Sequence, residues 1–160
     1  MTRFAPVITL YLTLLVALVL ELMPLPLLAN DWRAPWVLLV LSYWVLALPH
    51  RLNIGHGWVL GLLMDALLGA PLGLHALALA LIAYLLAANF QRLRTMGLVQ
   101  QALVIGALAC CWEGVQMTGE WYLNGEPWQL RHLYPAVTAT LLWPWLFVLL
   151  RRIRRRFVVR

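Results

Sequence analysis

The residues with chemical potential are few, and they fall into two groups. Gly57, Gly61, Asp65 and Gly69 recur at every fourth position, a spacing that places them along one face of a helix. Glycines so arranged remove side-chain bulk and let a second helix backbone approach closely. Asp65 shares that face. An ionised carboxylate near the centre of a bilayer costs about 2.5–3.5 kcal/mol, so it needs a proton or a partner. His75 is the candidate partner, because the short turn around Pro71 and Gly73 brings the next helix back at a similar depth. Such a stripe either glues helices together and forms a partner interface, or makes a proton or substrate site. One convincing mid-membrane acid without a relay favours glue.

The second group is acidic. Glu113 and Glu120 stand seven apart with Gln116 between them, hence on one helix face. With Glu21 they gather toward one side of the chain's apolar spans, where Arg33 and Arg131 could pair with them. A structural polar network is the first reading and a ligand pocket the second. The segment from Gly119 to His132 mixes Trp121, Tyr122 and Trp128 with Glu120, Glu126 and Arg131. That mixture suits interfacial anchoring, or docking to a partner.

Reaction chemistry has little else to draw on. Ser42 is the sole serine and has no nucleophile-elbow motif around it; His-Glu-x-x-His does not occur. Every basic residue is arginine, which excludes lysine Schiff-base chemistry. His50 and His56 are poorly spaced to share a metal from one helix. Cys110 and Cys111 are adjacent in an apolar run and read as small buried residues. No metal, cofactor or enzymatic activity is expected.

The elements that must carry these residues follow from composition. Of 160 residues, 64% are hydrophobic and 11% charged, with a mean hydropathy of +0.83. A soluble domain carries about 25% charged residues. The expected fold is all-α: a polytopic integral membrane protein, one transmembrane domain over residues 1–160. Six spans are predicted at about 6–28, 34–48, 54–68, 72–89, 96–118 and 133–150, followed by a basic cytoplasmic tail, 151–160. The first span is too long for a typical signal peptide and lacks a cleavage motif, so it is read as a helix. Six spans put Arg3, Arg51, Arg92, Arg94 and six tail arginines on one side, leaving only Arg33 and Arg131 on the other. The positive-inside rule then sets both termini in the cytoplasm. Trp32, Trp36, Trp121 and Trp128 fall at the outer boundary, and Trp44, Trp58, Trp143 and Trp145 near the inner one. Pro144 is expected to kink the sixth helix. Arg151, Arg152, Arg154, Arg155 and Arg156 suit topology control or contact with lipid or cytoskeleton rather than nucleic acid.

Longer stretches carry a resemblance. Pro35-Trp36-Val37-Leu38-Leu39 and Tyr43-Trp44-Val45-Leu46-Ala47-Leu48-Pro49-His50-Arg51 resemble the second helix of the rod-shape-determining MreD family. So do Gly61 to Asp65 followed by Gly69 and Leu72-Gly73, then Gln100-Gln101-Ala102-Leu103-Val104 and Leu142-Trp143-Pro144-Trp145. The resemblance covers nearly the whole chain. It implies a bacterial inner-membrane protein with a six-helix fold similar to the substrate-binding components of energy-coupling-factor transporters. It further implies a non-enzymatic scaffold that binds the bitopic protein MreC. Indirect partners are MreB, RodA and a class B penicillin-binding protein, in lateral peptidoglycan synthesis and rod-shape maintenance. Asp65 corresponds to the family's motif acid. The alternative is a component that binds or transports a small molecule.

Overall fold

The computed structural model describes residues 5–158, the last in backbone only; Arg3 and Arg160 lie outside it. The regular structure among the described residues is helical. In hydrocarbon no water can take up a free amide, so each apolar stretch closes its hydrogen bonds within itself, and breaks fall where proline or glycine imposes them. Helix α1 (Ala5–Leu22) stops short of Pro24 and Pro26, and a single turn, Leu27–Asn30, follows. The expected first span therefore overran: residues 23–28 lie outside α1.

Helix α2 (Trp36–Ala47) begins directly after Pro35, whose fixed φ suits a helix start, and ends at Leu48, which the following Pro49 keeps out of the helical region (φ −136°). Helix α3 (Ile54–Leu68) is capped by Asn53, whose side chain accepts from the Gly55 amide at 3.1 Å. Helices α4 (Leu74–Thr95) and α5 (Leu98–Asn124) follow, then a 3-10 turn, Leu130–Leu133, and α6 (Tyr134–Val158). Helix α6 continues through Pro144 and on into the arginine run. As far as Val158 the basic segment thus prolongs a helix instead of forming a separate tail.

Helices α1, α4, α5 and α6 are long and apolar enough to cross a membrane; α2 and α3 are apolar but shorter. At ~1.5 Å rise per residue, the 12 residues of α2 and 15 of α3 span about 18 and 22 Å, less than a ~30 Å hydrocarbon core. The chain is a polytopic membrane protein. Residues 37–46 of α2 are all buried, in contact with α1, α4, α5 and α6. Outward-facing Ile8, Leu12, Leu15, Val16 and Val19 of α1 are exposed, an apolar surface suited to lipid.

Two tryptophans expected at a membrane boundary are core residues instead. Trp44 is fully buried and donates from Nε1 to Thr13 Oγ1 at 2.8 Å; Trp143 is also fully buried and donates to Gln101 Oε1 at 3.4 Å. An indole that finds a buried acceptor has no need of the interface. The cysteines also depart from expectation. Cys110 and Cys111 are exposed, because they lie on the same outward stripe of α5 as Leu103, Ala107 and Thr118.

Candidate functional site

Asp65 sits in the last turn of α3, and its carboxylate reaches across the hairpin to the start of α4. Oδ2 accepts from the Gly73 amide at 2.8 Å, and Oδ1 accepts from the His75 amide at 3.1 Å. The His75 ring meets Oδ1 through Nδ1 at 2.7 Å. The first amides of a helix have no partner within it. Asp65 therefore caps α4 from the preceding helix, beside the positive end of the α4 dipole. Its side chain is fully buried, and His75 packs edge-on against Trp112 of α5 at 5.3 Å between ring centres.

The glycines explain how the hairpin closes so tightly. A Cβ placed on Gly57 would lie 2.9 Å from the Leu79 carbonyl oxygen. One on Gly61 would overlap the Ala76 backbone and approach the His75 carbonyl carbon to 2.6 Å. Both contacts are with α4 of the same chain. At Gly57 and Gly61 this face is therefore occupied by α4. Gly69 has another role, because a Cβ there would meet nothing within 4 Å. It ends α3 with φ +66°, its amide returning to the Asp65 carbonyl.

The acidic group divides. Glu21, at the end of α1, accepts from the Val37 amide at 3.3 Å and so caps the start of α2. Glu113, Gln116 and Glu120 of α5 share a cavity of about 220 Å³ with Asp31, Arg131 and His132. Gln116 is buried, and its Nε2 has no partner among the described residues. Arg33 donates to the Met23 carbonyl instead of joining an acid. The acid–base contact found among the described residues is Asp65 with His75, and the expected pairing of Arg33 and Arg131 with carboxylates is not found among them. Trp32 stacks on Tyr134 at 4.6 Å, and Thr138 bonds the Trp32 carbonyl, which pins this end of the bundle to α6.

At the opposite end, Gln101 donates to the Leu93 carbonyl at 2.8 Å and accepts from Trp143. It joins α4, α5 and α6. Arg151 and Arg154 of α6 line a cavity there with Arg94 of α4 and Tyr43 of α2, whereas Arg152, Arg155 and Arg156 do not line it. Sequence reasoning passed over Thr13 and Asn53, and quoted Tyr43 and Gln101 only as parts of motifs. Asn53 alone left a signal: an amide side chain directly before an apolar run.

The profile of the family described as rod shape-determining protein MreD matches residues 1–153. The chain is 38% identical over 141 residues to the rod shape-determining protein MreD of Haemophilus influenzae, covering 88% of this chain and 87% of that protein. No solved structure matches. Given a match that runs across almost the whole helical bundle, the chain belongs to the MreD family of rod shape-determining membrane proteins.

Proposed function

We propose that the protein is a non-enzymatic scaffold of the elongation machinery in the bacterial inner membrane. It binds MreC, and through it helps position lateral peptidoglycan synthesis by RodA and its class B penicillin-binding protein along MreB. The observation that carries this reading is the family match over residues 1–153, which attaches the cell-shape role to the bundle as a whole. Both termini are cytoplasmic, on the arginine count. The six helices, on the family resemblance, share the arrangement of energy-coupling-factor substrate-binding components. An experimental structure with a different helix order would remove that likeness.

With the glycine face of α3 covered by α4, the groove between α1 and α3 is the place for MreC's single span. It measures about 570 Å³ and is lined by Tyr11, Leu15, Leu18, His56, Val59 and Leu63. Its walls are two helices that barely touch one another. The test is disulfide crosslinking in membranes from Leu15→Cys and Val59→Cys, in a Cys110→Ser, Cys111→Ser background, to cysteines along the MreC span. Crosslinks at both positions and none from Leu103→Cys on α5 are expected. Crosslinks from Leu103→Cys alone would move the interface. Loss of all co-purification with MreC would end the scaffold reading.

A second reading has one observation in its favour. The cavity holding Glu113, Glu120 and the unpartnered Gln116 amide suits a small polar ligand. Native mass spectrometry of protein extracted in mild detergent decides between them: a bound small molecule that Glu113→Gln abolishes supports this reading, and an empty chain opposes it.

A further inference from the structure

We propose that the basic end of the bundle holds a phosphate group, in a site built from Tyr43, Arg94, Arg151 and Arg154. Four helices converge there on a cavity of about 190 Å³, with Phe147 and Ala47 completing its apolar wall. At ~30 Å³ per water, that is space for a phosphoryl group and some of its hydration. Tyr43 is only 2% exposed and is one of the residues lining the cavity, and its buried hydroxyl has no hydrogen-bond partner among the described residues. Its ring is held edge-on between Trp44 and Phe147, each at 5.4 Å. A buried hydroxyl that is fixed in place and unpaired is unfavourable unless something enters to meet it.

The charge around it asks for the same occupant. Three arginines line the cavity, and the sequence has six acidic side chains to set against them. None is available. Asp65 is engaged at the α3–α4 turn, Glu21 caps α2, Asp31, Glu113 and Glu120 line the cavity at the other end, and Glu126 lies in the loop after α5. Gln101 contributes wall and not ligand, since its amide is already bonded to Leu93 and Trp143. A tetrahedral oxyanion offers several acceptor oxygens to guanidinium forks and a hydroxyl at once, which a single point charge cannot.

Two sources supply that chemistry: a phospholipid headgroup of the adjacent leaflet, or a soluble phosphate. The leaflet is cytoplasmic on the topology proposed above; the site itself does not depend on that reading. The full chain in phosphatidylcholine nanodiscs is titrated with phosphatidylglycerol or with inorganic phosphate, and followed by melting temperature and native mass spectrometry. Saturable stabilisation by one of them is expected. Stabilisation by phosphatidylglycerol that millimolar phosphate does not reproduce identifies a lipid headgroup; the reverse identifies a soluble phosphate.

Arg151→Gln with Arg154→Gln weakens half-saturation roughly thirtyfold. Tyr43→Phe keeps the ring contacts and weakens it several-fold. Arg152→Gln with Arg156→Gln removes the same charge outside the cavity and leaves it within threefold. The proposal is overturned if neither ligand saturates, if both double variants lose binding equally, or if Tyr43→Phe binds as the parent does.

Discussion

Removing the Asp65 carboxylate gives the sharpest test of the hairpin. In Asp65→Ala, the Gly73 and His75 amides lose acceptors at 2.8 and 3.1 Å, and the His75 ring loses its contact at 2.7 Å. A buried donor left without its acceptor costs about 1–3 kcal/mol, so two amides predict a loss of about 2–6 kcal/mol. Asp65→Asn keeps one carbonyl acceptor and a good capping residue, and should lose about half as much. In the cycle with His75→Ala, the pair in direct contact should couple by ~0.5–3 kcal/mol. The measurement is reversible unfolding in mixed micelles of dodecylmaltoside and sodium dodecyl sulfate, followed by circular dichroism. A loss below ~1 kcal/mol for Asp65→Ala, the size of an ordinary cap, would refute the reasoning. Equal losses for Ala and Asn would show that the retained acceptor does nothing.

Three further outcomes use the same unfolding assay. Gly61→Ala should cost about 1–3 kcal/mol through overlap with the α4 backbone, and more than Gly57→Ala, whose clash is milder; a reversed order would reject the hairpin register. Gly69→Ala, in open space but at φ +66°, should lose about 1–2 kcal/mol from the left-handed backbone alone, and a neutral result would argue against that cap. Gln101→Leu leaves the Trp143 indole and the Leu93 carbonyl without this partner, for a loss of about 1–3 kcal/mol and a changed tryptophan emission; unchanged stability and emission would remove Gln101 as the junction of three helices.

Much of this fold could be read from composition, because hydrocarbon demands apolar helices. The Asp65–His75 pair was legible for a local reason: only the turn around Pro71 and Gly73 separates the two helices. Spacing identified the face bearing Gly57 and Gly61 but could not name its neighbour, since any helix backbone would fit a glycine groove. That neighbour proved to be the next helix of the same chain. Trp44 and Trp143 were misplaced for the opposite reason. Their acceptors, Thr13 and Gln101, lie 31 and 42 residues away, and no local pattern announces a bond across that distance. Tyr43 looked like one more aromatic in an apolar run, and only the meeting of α2, α4 and α6 exposes its hydroxyl as orphaned.

The cross-hairpin cap has a bearing on how the protein is made. Asp65 leaves the ribosome eight residues before Gly73 and ten before His75, so α3 emerges carrying a carboxylate ahead of the partners that bond it. It is also too short to cross the bilayer on its own. Release into lipid must therefore wait until the first turn of α4 has appeared, and the two segments enter the membrane as one unit.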